Sequence, residues 1–523
     1  MQRRTFIGGG AAVLTAAATA ACSGGGAATP DATGAPASGT TAAPSTGAAT
    51  PTRSAAADWR ALAGGLDGEL LRPGDGSWTT AAQLYNTRFD GLKPAAVAYA
   101  AHAEDIRTLL SYAKAHDVRV SIRNGGHSYA GWSSGDGRLV IDVSRLSGVR
   151  ASANEAVVGA GAKLIDVYRV LAAKGVTIPA GSCPTVGVSG LTLGGGHGVA
   201  SRAYGLTCDS LTAATIVTAD GEQLTADGDE HDDLFWALRG AGNGNFGVVT
   251  ELRFRTHPAP QSVTADLSWP WSRAADVVTA WQEWGPDQPD EIWSTCHVAG
   301  AAGGTPTVSV SAFSLGTYGE LQNAVDRLAD RIGAPASAVS LRRHSYEESM
   351  EVYAGCSSYD TDARCHLPGT TPGRTETGAL KRETYAARSD FFDRSIPAAG
   401  VQALLDQVSG VRGGTGSVAF TALGGAVNRV SPTATSFVHR RSRTLAQYLV
   451  SWPADGSGTT AESWLGSVHR AMSRYASGAA YQNYTDPTLT GWREAYYGEA
   501  ASRLADVKKK YDPERFFSFP QAL

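Results

Sequence analysis

The sequence predicts an α+β fold in two parts: a mixed helix-and-strand domain, then an antiparallel sheet with helices on one face. Three observations predict it. From Ala103 to Val217, helical and strand periodicities alternate. The connections between them are rich in glycine, which supplies 62 of the 523 residues. Near His257-Pro258-Ala259-Pro260 this pattern breaks, and a second set of strands and helices follows.

The stretch from Ala103 to His116 reads as a helix, because Ile106, Leu109, Leu110 and Ala113 fall on one stripe. Val118, Val120 and Ile122 alternate with polar residues and read as a strand, and Leu139 to Val143 as another. Leu164, Val167, Tyr168 and Leu171 mark a second helix. Leu211 to Val217 and Glu222 to Thr225 flank Asp220-Gly221, which reads as a hairpin. A short helix follows from His231 to Arg239. Beyond the break, Val308 to Phe313 and Tyr448 to Trp452 read as strands, and Leu321 to Ile332 and Val401 to Val408 as helices. Trp492, Tyr496, Leu504, Val507 and Tyr511 keep helical spacing, which predicts one helix that Asp512-Pro513 ends.

The N-terminus reads as an export signal. Arg3-Arg4 precede Phe6-Ile7 and an alanine-rich run to Ala21, too short for a lasting membrane span. Gln2-Arg3-Arg4-Thr5-Phe6-Ile7 resembles a twin-arginine signal, which exports folded proteins; an ordinary secretory signal stays open. Cys22 follows Thr19-Ala20-Ala21, so it reads either as a bacterial lipoprotein cysteine or as part of a signal cleaved a few residues on. Residues 23 to 57 carry only Asp31 and Arg53 as charges and read as a disordered tether. The expected location is secreted or cell-surface, with membrane contact only through lipid on Cys22. A net charge of −4 without a basic run argues against nucleic acid. Cys356 and Cys365 enclose a short polar loop and read either as a local disulfide, which export allows, or as two unrelated thiols. Cys208 and Cys296 read as buried apolar residues. No CxxC or zinc-spaced set occurs, so no metal is expected.

Three glycine-rich stretches carry the chemistry. The first is Arg123-Asn124-Gly125-Gly126-His127-Ser128, just past a strand. The second runs from Gly181 through Cys183, Val186, Gly187, Ser189 and Gly190 to Gly194-Gly195-Gly196-His197-Gly198. Backbone N–H groups without side chains in the way cradle a pyrophosphate. The third, Gly240 to Gly247, contains a formal GxGxxG, but the strand pattern of Leu252 and Phe254 follows instead of a helix. That excludes the nicotinamide fingerprint and leaves a loop, with Gly247, Val248 and Val249, that contacts a cofactor.

These stretches in this order, with Tyr481-Gln482-Asn483-Tyr484 and Lys510-Tyr511-Asp512-Pro513 near the C-terminus, resemble the berberine-bridge-enzyme group of the vanillyl-alcohol-oxidase flavoproteins. The resemblance implies a PCMH-type FAD-binding domain over 58–258, a substrate domain over 259–484, and a C-terminal segment, 485–523, returning to the FAD domain. It implies a bicovalent FAD, His127 bonded to the flavin's 8α carbon and Cys183 through sulfur to carbon 6. A doubly tethered flavin has a raised reduction potential and leaves the cleft open to bulky substrates. The loop residues already named are implied to hold it, with Asn483. Val186 stands where oxygen reaches the flavin and resembles the oxidase pattern. Tyr484 matches the family's catalytic base and Tyr481 its neighbour. The glutamate some relatives use is missing, since Thr433-Ala434-Thr435 precede Ser436-Phe437-Val438-His439-Arg440.

The expected activity is therefore a secreted oxidase that takes hydride from an alcohol, an oligosaccharide's anomeric carbon or a secondary-metabolite hydroxyl, and reduces oxygen to hydrogen peroxide. Two rivals stand beside it: a dehydrogenase with another electron acceptor, and a non-catalytic surface protein. Trp269, Trp271, Trp281, Trp284 and Trp293 cluster in the second part and read either as sugar platforms or as sheet core.

Overall fold

The computed structural model describes residues 58–523. The expected export signal, Cys22 and the tether lie outside the described residues.

The first part holds two main sheets and a two-stranded pairing of Val176–Thr177 with His257–Pro258. One contains β1 (Glu69–Leu71), β2 (Ala96–Tyr99), β3 (Val120–Arg123) and β4 (Leu139–Asp142), in the order β1-β2-β4-β3. β2, β4 and β3 run parallel, and every residue of β2 and β4 is buried. This is why they read as short continuous apolar runs rather than alternations. The crossover from β2 to β3 is the helix Ala103–Ala115, whose predicted stripe is buried. The second sheet is antiparallel: β5 (Val149–Ala151), β6 (Glu155–Gly159), β7 (Leu211–Val217), β8 (Gln223–Asp227) and β9 (Val248–Arg255), in the order β5-β6-β9-β7-β8. β7 and β8 are the expected hairpin.

The second part is a seven-stranded antiparallel sheet. Its strands are β10 (Ser262–Trp269), β11 (Ile292–Ala301), β12 (Thr307–Ser314), β13 (Ala338–His344), β14 (Tyr385–Phe392), β15 (Thr415–Ala422) and β16 (Thr444–Ser451), in the order β13-β10-β12-β11-β15-β16-β14. The helices Ala274–Trp284, Tyr318–Ile332, Ala398–Ser409 and Thr459–Ser473 share one apolar core with a single face of this sheet. Trp269, Trp281 and Trp284 belong to that core, each donating its indole N–H inside the domain, to Ala334 O, Ser294 Oγ and Ala324 O. Burial with a satisfied N–H marks them as sheet core rather than sugar platforms.

The opposite face is left for the cleft. Strand register decides which residues point there: Thr295 pairs with Thr421, and His297 with Ala419, which pairs in turn with Gln447. With side chains alternating along each strand, these five share one face.

One expectation fails. The helix predicted from Trp492 to Tyr511 is two helices, Trp492–Tyr497 and Ala501–Tyr511. Gly498 between them has φ +43, a left-handed conformation that breaks the helix, and the apolar spacing on either side hid the break. Residues after 480, including Tyr496, Leu504 and Phe517, pack into the core of the first part. Cys356 and Cys365 form a disulfide, and Cys208 and Cys296 are buried free thiols. No helix of the described residues is long and apolar enough to cross a membrane.

Candidate active site

A cavity of about 400 Å³ lies between the glycine-rich loops of the first part and the open face of the seven-stranded sheet. That size suits a bound organic molecule.

His127 follows β3 on a loop that Gly125 presses against the second glycine-rich stretch. A Cβ on Gly125 would overlap the Thr185 carbonyl and stand 2.7 Å from the Gly187 nitrogen, so only glycine permits this approach. The loops are also tied by His127 Nε2, 2.8 Å from Thr185 Oγ1. Cys183 and Val186 lie on the same turn, closed by Val186 N donating to Cys183 O, and both line the cavity with His127. Asn124 braces the loop from behind: its Nδ2 donates to Ala160 O and to Ser189 Oγ, and its Oδ1 accepts from Lys163 Nζ. Burial lowers the Lys163 ammonium to about 8. Burial, with that neighbouring cation, lowers His127 to about 3, so its imidazole is neutral.

At the far end, Tyr481 and Asn483 lace the stretches together. The Tyr481 hydroxyl accepts from Gly196 N at 2.9 Å and from Asn483 Nδ2 at 2.8 Å. Asn483 Oδ1 accepts from Asn243 Nδ2 at 2.7 Å. Tyr484 stacks on Tyr129 with ring centroids 5.2 Å apart, and Gln447 Nε2 donates to the Tyr129 hydroxyl at 2.6 Å. The Tyr484 hydroxyl lies 2.9 Å from His197 Nε2. Burial first, then Tyr129 and Tyr481, hold the Tyr484 phenol well above its ordinary value. Burial lowers His197 to about 4. Both groups are therefore neutral at pH 7, and the group touching the Tyr484 oxygen is an imidazole rather than a cation.

Most of the expected loop residues, Asn124 to Ser128, Gly187, Ser189, Gly190, His197, Gly198, Gly247 and Val249, line this cavity. Three expected cofactor positions, Gly194, Gly195 and Val248, do not line the cavity, while a fourth, Arg123, lines it from within an ion pair. The Arg123 guanidinium is paired with Asp142 at 2.5 Å, both buried, and so joins β3 to β4. Gly194 makes room for Asn483 and Asn243, and Gly195 for Phe437, instead of lining the cavity. Val248 is fully buried in the core and, unlike its neighbour Val249, does not line the cavity. Sequence reasoning missed Tyr85, which stacks on His127 from a segment without a motif, and the Thr295, His297, Thr421 and Gln447 floor, visible only through sheet register.

The lining fits a large polar cofactor. Ser133 Oγ, His197 Nδ1, Asn243 Oδ1, Gln482 Oε1 and Gln521 Oε1 are buried without a hydrogen-bond partner, and all five residues line this cavity. Buried polar atoms seldom stay unpaired, so five of them around one cavity point to a ligand that satisfies them. A Cβ on Gly190 would meet nothing within 4 Å, so any side chain there would take up cavity space.

Comparison with known proteins agrees. A family model described as an FAD binding domain matches residues 94–227, and one described as berberine and berberine like matches residues 480–523. A xylooligosaccharide oxidase of Thermothelomyces thermophilus is 32% identical over 85% of this chain and 90% of its own. A chitooligosaccharide oxidase of Gibberella zeae is 30% identical over 86% of this chain and 91% of its own. The solved structure of Physcomitrella patens BBE-like 1 superposes with a TM-score of 0.79 at 29% identity, covering 88% of this chain and 98% of that one.

Proposed function

Since the chain belongs to the berberine-bridge-enzyme-like family of FAD-linked oxidoreductases, we propose that it is an exported oxidase with FAD bonded to both His127 and Cys183. Its substrate is an alcohol, a sugar's anomeric hydroxyl or a metabolite hydroxyl, and its electron acceptor is oxygen. The observation that carries this reading is the meeting of the His127 and Cys183 loops on one cavity whose far wall presents Tyr484.

When bound, FAD accepts the hydride and passes two electrons to oxygen, yielding hydrogen peroxide. The residues supply the rest. Neutral His127 has the lone pair needed for bonding to carbon. Tyr484, too weak an acid to stand as a phenolate, acts through a shared proton: it takes the substrate hydroxyl proton as its own moves to His197 Nε2. Gln447 orients Tyr129, which fixes the Tyr484 ring by stacking. Thr295, Thr421 and Gln447 line the floor and offer hydroxyl and amide partners suited to a polyol. The oligosaccharide oxidases among its relatives favour a sugar over an apolar metabolite.

The test is a peroxide-coupled screen of oligosaccharides and secondary alcohols with the purified yellow protein. Peroxide formed with a sugar supports the reading. Flavin reduction by substrate without peroxide in air would replace oxygen with another acceptor.

A further inference from the structure

We propose that Tyr85 is a positioning residue for covalent attachment, holding the His127 imidazole in the one orientation from which it bonds the flavin. The inference rests on His127 being an attachment site.

The imidazole turns about two side-chain torsions, so two contacts are needed to fix it. Thr185 Oγ1 takes Nε2 at 2.8 Å, and the Tyr85 ring lies face to face with the imidazole, centroids 4.0 Å apart and planes 19° from parallel. The first contact alone leaves the ring free to swing about Nε2; the second sets its plane. With both made, Nδ1 is the nitrogen that Thr185 leaves to react.

Tyr85 is itself held on every side. Its backbone N–H donates to Gly126 O at 3.1 Å, on the loop that carries His127. Its hydroxyl is hydrogen-bonded to the Glu383 carboxylate, and its ring is 3% exposed. The flanking residues bind the chain approaching β14: Arg382 Nε donates to Leu84 O at 2.7 Å, Thr87 N to Glu383 O at 2.9 Å, and Asn86 Nδ2 to Tyr385 O at 2.8 Å. The 84–87 segment is thus a strap between the His127 loop and the substrate sheet. The ring over His127 is set only when both parts are folded.

Attachment joins an imidazole nitrogen to the flavin's methyl carbon. A methyl C–H bond would break with loss of its proton and leave its electron pair on the flavin, the imidazole lone pair would form the new N–C bond as the imidazole N–H proton leaves, and oxygen would take the flavin's two electrons, with two protons, as hydrogen peroxide. Such a step depends on the geometry of the reacting atoms.

The test measures linkage at each site. Wild type, Tyr85→Phe and Tyr85→Leu are purified as holoproteins, precipitated in acid and mapped by peptide mass for flavin on His127 and on Cys183. Y85F keeps the stacked ring and should match wild type. Y85L should carry about tenfold less flavin on His127 while keeping that on Cys183. Full His127 linkage in Y85L overturns the proposal, and so does equal loss at both sites. Should Y85L fail to melt cooperatively, Thr185→Val removes the other contact, and unchanged His127 linkage there overturns it equally. Wild type without flavin on His127 refutes the attachment reading itself, a separate outcome.

Discussion

Tyr484 places its hydroxyl 2.9 Å from His197 Nε2, joining the C-terminal segment to the second glycine-rich loop. A buried phenol beside a buried neutral imidazole can pass a proton without either group carrying charge at rest. The site therefore needs no standing phenolate, and its chemistry tests directly.

Tyr484→Phe should slow flavin reduction by substrate about 10²- to 10⁴-fold, the usual worth of a positioned base. Flavin content and melting temperature should stay near wild type. Stopped-flow absorbance under anaerobic conditions reads the rate; an undiminished rate removes Tyr484 from the mechanism.

The pH dependence of that reduction should have its acid limb near 4. Protonated His197 cannot accept the Tyr484 proton, and burial lowers His197 to about 4. The rate then holds as pH falls through 6.5 and drops only as pH nears 4. A limb at 6.5 would mean that His197 titrates as an exposed histidine.

Stability should fall over a related window. His297 and His439 are both lowered to about 4 by burial. Above about 6.5, the reference value, both are neutral folded or unfolded and make no difference. Below it the unfolded chain binds protons that the folded chain refuses, so melting temperature drops as pH falls from 6.5 towards 4. His439→Asn should flatten that slope in melts across pH. An unchanged slope would show that His439 contributes nothing to it.

Gly125→Ala should lower bound flavin, because its Cβ would overlap the Thr185 carbonyl and force the His127 and Cys183 loops apart. The flavin-to-protein absorbance ratio reads it, and a wild-type ratio would mean that the loops need not touch. Trp281→Ala should do the reverse, costing about 3–5 kcal/mol of stability with flavin retained, since Trp281 lies on the helix-covered face.

The sequence carried the glycine-rich loops openly, because a close backbone approach tolerates no other residue and leaves a run of glycines behind. His127, Cys183, Asn483 and Tyr484 were legible through those runs and the family resemblance. Tyr85 was not, since one ring on an irregular segment has no periodicity. Thr295, Thr421 and Gln447 were hidden for another reason: they lie on three strands far apart in sequence, and only register aligns them. Gly498 was masked because the apolar residues on both sides kept helical spacing across the break.

The most direct test of the central claim is acid denaturation of the wild-type protein followed by peptide mass mapping. Double attachment predicts that all yellow colour stays with the polypeptide and that one flavin cross-links the His127 and Cys183 peptides. Flavin released into the supernatant, or found on neither peptide, would contradict it.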